Sequence, residues 1–133
     1  MHICNTNLQG DIFALGIHRD AFNATDSPFF LAEVRRKTFW RAHQLDFYDR
    51  PPRITSRYSD CELPLDLADQ ELCAEPAQII LARQKLTHDG WNPEGMYTST
   101  AWVRVRSILS TVREDILEYT FKSMTAERHV RLK

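Results

Sequence analysis

Two proline-marked boundaries enclose the stretch that most constrains this chain. Ser27 is a good N-cap and Pro28 suits the first helical position, while Pro51-Pro52 forbid a helix beyond them. Between them lie about six turns at 3.6 residues per turn. Leu31, Val34, Thr38, Ala42 and Leu45 fall on one stripe at helical spacing, and Trp40 and Phe47 fall opposite. A helix apolar on both sides is expected to be buried between neighbours. It also carries Arg35, Arg36, Lys37 and Arg41. Charges placed there need partners, and Asp46, Asp49 and the acidic stretch after Asp60 supply them. The spacing predicts an all-α fold, an irregular multi-helix bundle organised around this helix. Arg36 one turn from Trp40 adds an expected cation–π contact.

The segments around it are read the same way. Asn5 to Leu15 is predicted helical, with Leu8, Ile12 and Leu15 on one face and Gly16 as its C-cap. His18-Arg19-Asp20 also opens the catalytic loop of protein kinases, but Asn23 comes two residues early and no glycine loop or Asp-Phe-Gly follows. It is read as a turn in which Asp20 accepts backbone hydrogens or pairs with Arg19 or Arg35. Asn23-Ala24-Thr25 fits a glycosylation sequon and is read as a turn. Asp60 to Glu75 holds six carboxylates and no cation. It lacks the calcium-loop pattern and carries Pro64, so it is expected to neutralise the basic helix. Pro76 to Asp89 is predicted helical, with Gly90 as its stop. The last helix is capped by Thr98, Ser99 or Thr100. It is expected to pack Trp102, Val105, Leu109, Val112, Ile116 and Tyr119 on the body, with Arg104, Arg113, Glu114 and Glu118 largely elsewhere. A basic tail, residues 126–133, is expected to fray.

Taken in order, these pieces resemble one family. Leu15-Gly16-Ile17-His18-Arg19-Asp20, Ser27-Pro28, Glu33-Val34-Arg35-Arg36-Lys37-Thr38-Phe39-Trp40, Leu45-Asp46, Arg50-Pro51-Pro52 and Glu62-Leu63-Pro64-Leu65-Asp66 look like the fungal-specific transcription factor domain. This is the middle homology region that follows the zinc binuclear cluster in fungal regulators. The match is close over about the first half and looser through Asp89-Gly90-Trp91 and the closing helix. Asp49 departs from it, standing where the family pattern has glycine before Arg-Pro-Pro. The resemblance implies a partial regulatory domain over residues 1–125, beginning inside a larger helical domain. It implies a nuclear protein that modulates transcription by RNA polymerase II, without catalysis, through other helices of a parent regulator, an oligomer or a small-molecule effector. Arg35, Arg36, Trp40, Asp46, Arg50, Pro51 and Pro52 would be its structural signature.

The alternative is a stand-alone helical module that binds a protein or a small apolar ligand. The aromatics Phe39, Phe47, Trp91 and Trp102 are candidates for a pocket between helices, against the plainer reading that at helical spacing they are core. No esterase elbow or zinc-protease helix appears, although His43 and His88 have no assigned role. Net charge −1 argues against a nucleic-acid glove. No direct DNA contact is expected, and any zinc would sit in an upstream cluster, because Cys4, Cys61 and Cys73 lack cluster spacing. Widely spaced cysteines and a start without a basic-then-apolar leader fit an intracellular protein with reduced thiols.

Overall fold

The computed structural model describes residues 8–20, 27–46, 53–94 and 97–131. Cys4, the Asn23-Ala24-Thr25 turn, Phe47, Asp49, Arg50, Pro51 and Pro52 lie outside the described residues. Within them the fold is all-α. Its helices are α1 (Leu8–Ala14), α2 (Phe29–Leu45), α3 (Asp69–Leu72), α4 (Pro76–Gln84) and α5 (Ser99–Arg131), with a 3₁₀ turn at Ser56–Tyr58 and no strand.

α1 ends where Gly16 takes φ +65°, a left-handed conformation that a residue with a Cβ adopts at a cost. Ile12 is buried from this helix, whereas Leu15, expected on the same face, points to solvent. α2 starts one residue later than the spacing predicts. Pro28 is the N-cap, and Ser27 instead accepts a hydrogen bond from Arg35 Nη1 at 3.3 Å. α4 stops five residues short of Asp89. Thr87 and Trp91 close a small loop on each other, the Thr87 N–H donating to the Trp91 carbonyl at 2.8 Å and the Trp91 N–H to Thr87 Oγ1 at 3.0 Å. Gly90, at φ +79°, completes that turn. Thr98 caps α5 by accepting the Ala101 N–H at 2.9 Å. α5 then runs without a break to Arg131, so the basic segment expected to fray continues the helix.

Two apolar cores hold these elements. Ile12, Phe39, Trp40, Ala42, Ile54 and Cys61 form the first, beneath α1 and α2. Leu67, Leu72 and Ala82, flanked by Phe29, Leu65 and Leu86, form the second, under α3 and α4.

The faces of the two long helices differ from the expectation. On α2 the buried residues are Ala32, Glu33, Phe39, Trp40, Ala42 and His43. Of the expected stripe Ala42 is buried, while Leu31, Val34, Thr38 and Leu45 are exposed. On α5 the reversal is complete. Thr100, Arg104, Ser107, Ser110 and Glu114 face the body, and Trp102, Val105, Leu109, Val112, Ile116 and Tyr119 face out. The reason is steric and electrostatic. α2 and α5 share the most extensive helix contact in the fold, and hydroxylated side chains there let the backbones approach while satisfying polar groups carried by α2.

Candidate functional site

Among the described residues most buried polar groups fall into three clusters, each assembled from residues distant in sequence. The first is built on α2. Glu33 and Arg36 lie one turn apart and pair at 2.6 Å. Arg36 also grips Asp20 with two parallel bonds of 2.7 Å, through Nε and Nη2, a fork that suits guanidinium and carboxylate. Glu62 lies 3.6 Å from the same guanidinium. The other Glu33 oxygen accepts the Leu65 N–H at 2.8 Å, and Trp40 donates its indole N–H to the Glu62 carbonyl at 2.9 Å. The Asp20 N–H is taken by Asp60 at 2.8 Å. Lys37 pairs with Asp69 at 3.0 Å, so the acidic segment neutralises the helix as expected.

Burial decides the electrostatics here. Glu33 is fully buried. Loss of hydration pushes its carboxyl above the ordinary range, against the opposing pull of the Leu65 N–H and Arg36. Arg36, hydrogen-bonded to Asp20 and beside Glu33, is held even more firmly protonated than usual. Cys61 lies at the edge of this cluster, and burial pushes its thiol up to about 12. The expected contact of Arg36 with Trp40 gives way to these carboxylates. The cation–π contacts form elsewhere, Arg83 over Phe29 at 4.9 Å and Arg104 over Trp91 at 4.5 Å.

The second cluster joins α2 to α5. His43, fully buried, contacts Ser110 Oγ through Nδ1 at 2.9 Å and Glu114 through Nε2 at 2.8 Å. The same Glu114 oxygen accepts the Ser56 N–H at 3.1 Å and hydroxyl at 2.9 Å. Ser110 donates its own proton to the Ser107 carbonyl at 2.7 Å. Serine, histidine and glutamate thus stand in one line, but the serine oxygen is enclosed and already bonded on two sides. The arrangement fastens the 3₁₀ turn and two helices together. The third cluster centres on Arg104, whose guanidinium donates to the Pro64 and Asp89 carbonyls while it covers Trp91. Burial lowers its pKa. Asp66 accepts the Thr98 hydroxyl and the Asn92 N–H. Arg104 and Glu114 therefore sit on the packing face of α5, not elsewhere on it.

Of the residues singled out from sequence, Arg36 and Trp40 meet in the first cluster, and Arg35 bonds Ser27 beside it. Asp46 is buried and accepts the backbone N–H groups of Arg53 and of Ile54, the latter at 2.6 Å. Through these bonds it anchors the start of the loop that follows α2. Among the described residues the expected pocket aromatics Phe39, Trp91 and Trp102 do not come together. Phe39 meets Trp40 edge to face and stacks on His43 in the core, Trp91 is covered by Arg104, and Trp102 is 62% exposed on the far side of α5. A cleft of about 740 Å³ opens instead between the 3₁₀ turn and the C-terminal half of α5, lined by Thr55, Tyr58, Phe121, Lys122, Ala126 and His129 among others.

Glu33, His43, Arg104 and Glu114 were missed as site residues. One signal for them was legible, namely Thr100, Ser107, Ser110 and Glu114 at helical spacing on the face opposite the apolar stripe. Among the described residues no group of three His, Cys, Asp or Glu side chains is placed to hold a metal ion, and no helix is long and apolar enough to cross a membrane. Comparison with family models, curated proteins and solved structures finds no match to this chain.

Proposed function

We propose that this chain is a helical regulatory domain of the fungal zinc-cluster transcription factor kind. In this reading it acts in the nucleus, carries out no chemistry, reads no DNA itself and modulates transcription through contacts with other helices or a bound effector. One observation supports the reading. The separate sequence pieces that carry the resemblance meet in space. Asp20 from the first, Glu33, Arg36 and Trp40 from the third, and Glu62 and Leu65 from the last are tied together by hydrogen bonds and ion pairs. Residues used in this way specify a fold, as a domain signature does.

The test is to tether the chain to an unrelated DNA-binding module upstream of a reporter. Output should differ from that of the module alone, and Arg36→Ala should abolish the difference. Output equal to the bare module, with the fusion shown to be folded and nuclear, sinks the reading. A second reading, a stand-alone helical binding module, draws support from the outward apolar face of α5 and the adjoining cleft. Sequencing the 5′ end of the transcript separates the two. A frame encoding six closely spaced cysteines supports the first, and a message that begins at Met1 supports the second.

A further inference from the structure

The side of α5 that packs on the body does not stop at Glu114. Ser107, Ser110 and Glu114 are buried there, and the same side continues at helical spacing through Glu118, Phe121, Thr125 and His129. Opposite this continuation stands the 3₁₀ turn Ser56–Tyr58, with the cleft of about 740 Å³ between them. Sites for small molecules run to roughly 300–1,000 Å³. The wall of the cleft is fixed in advance at two levels. Ser56 gives its N–H and its hydroxyl to Glu114 at 3.1 and 2.9 Å, and one turn further along Arg57 holds both oxygens of Glu118, at 2.8 and 2.6 Å. The charges of the lining cancel within it. Glu118 meets Arg57 and also Lys122, the latter at 2.7 Å, while Glu114 is taken up by His43 and Ser56. An occupant is left the aromatic and apolar surface of Tyr58, Phe121 and Ala126, and two uncharged polar ends. The exposed Tyr58 hydroxyl has no partner among the described residues. His129 contacts the Thr125 carbonyl through Nδ1 at 3.2 Å, so Nδ1 carries the proton and Nε2 accepts.

We propose that this cleft binds an uncharged, largely apolar small molecule that carries one hydroxyl or N–H group. The proposal deepens the regulatory reading, and rests on it for what binding accomplishes, by giving the bound effector a place and a chemical class. Charge selects the class. An ionised ligand would leave water for a cleft whose cations and carboxylates already satisfy each other, and a charge buried without a partner is costly. A neutral body meets no such cost and takes the apolar walls out of water. Its single donor is accepted by His129 Nε2 or the Tyr58 hydroxyl, which orients it. Such an occupant touches the turn and α5 together. It tightens the junction at which Glu114 joins Ser56 to His43 of α2, and so has a route to the body of the fold.

The probe is N-phenyl-1-naphthylamine, an uncharged apolar molecule with one N–H whose fluorescence rises when it leaves water. Added to the purified chain, it should give a saturable rise. Ala126→Trp, which fills the cleft from an exposed position, should weaken binding about tenfold. The double variant Leu109→Glu, Ile116→Glu, which spoils the outward face of α5, should leave binding unchanged. Both variants should keep the helical circular dichroism of the parent. Displacement by three molecules of similar shape reads the charge. 1-Naphthol should compete at about tenfold lower concentration than 1-naphthoate or 1-naphthylmethylammonium. Glu118→Gln removes the carboxylate shared by Arg57 and Lys122. It should bring naphthoate level with naphthol while naphthol itself competes as before. The proposal is overturned by the lack of a saturable rise, or by a rise that survives Ala126→Trp and is lost with the Leu109 and Ile116 changes. Naphthoate competing as well as naphthol on the unaltered chain overturns it too. The tethered reporter keeps this test apart from the regulatory reading. Altered output from a chain that binds no probe removes the site and keeps the reading, and binding by a chain whose output equals the bare module does the reverse.

Discussion

Asp46 shows a carboxylate acting on the backbone as well as through its charge. Its described bonds include those from the N–H groups of Arg53 and Ile54 at the start of the loop that carries Ser56 toward α5. Removing the carboxylate strands two donors, one of them buried. Asp46→Ala should therefore cost about 2 kcal/mol, the desolvation of unsatisfied groups. Asp46→Asn keeps an acceptor and should cost well under half as much. Urea unfolding of the two variants measures this, and equal losses would return the weight to the charge. Cys61 offers a second residue-scale test. Burial favours its neutral thiol up to a pH of about 12, whereas Cys73 is exposed. At mildly alkaline pH iodoacetamide should label Cys73 quickly and Cys61 only after denaturant is added. Peptide mapping reads both sites, and comparable native rates would contradict the buried placement.

At the scale of elements, the starts of α2, α4 and α5 and the stop of α1 were legible to within a residue, while the stop of α4, the reach of α5 and the inward faces were not. Pro28, Pro76, Gly16 and Thr98 act on the local backbone, so their signals needed no knowledge of the rest of the fold. The inward face depends on what lies opposite. Counting apolar residues assumes that apolar sides seek the interior, and that assumption fails when two helices bring matched polar groups to each other. His43 needs Ser110 and Glu114, sixty-seven and seventy-one residues away, and no local pattern in α2 announces them. The first cluster was partly legible, because Glu33 and Arg36 are helical neighbours and the acidic segment was expected beside them. Its link to Asp20 was assigned to Arg19 or Arg35, since only the fold reveals which guanidinium points that way. The α2–α5 fastening gives an element-scale prediction. His43→Ala or Glu114→Ala alone should cost about 1–3 kcal/mol, because each removes a hydrogen bond from a buried polar partner. The double variant should cost much less than the sum, by the coupling expected of residues in contact. Additive losses in a thermodynamic cycle would show that the pair is not coupled.

For the whole molecule, the balance between burial and pairing at Glu33 sets a pH dependence. The Glu33 carboxyl is raised above its ordinary value, with desolvation the largest cause. Between its unfolded and folded pKa the native state holds a proton that the unfolded chain has released. The stabilisation linked to that proton is complete below the unfolded pKa and is lost as pH rises through the folded one. Glutamine at this position cannot ionise and carries no such penalty. The two proteins also differ by a pH-independent offset, set by how the amide meets Arg36 and the Leu65 N–H. Only the trend separates charge from shape. Urea titrations at acidic, intermediate and neutral pH should show Glu33→Gln gaining on the wild type as pH increases. If the glutamine variant loses ground instead, the attraction of Arg36 outweighs the loss of hydration. Arg36 would then hold Glu33 as an ion pair that strengthens the fold at neutral pH. The same comparison probes the signature as a unit, because Glu33 bridges α2 to Leu65 while Arg36 carries the connection on to Asp20. A trend in the Glu33→Gln protein that Arg36→Ala also changes would place both residues in one coupled electrostatic centre. Independent trends would divide it into two separate contacts.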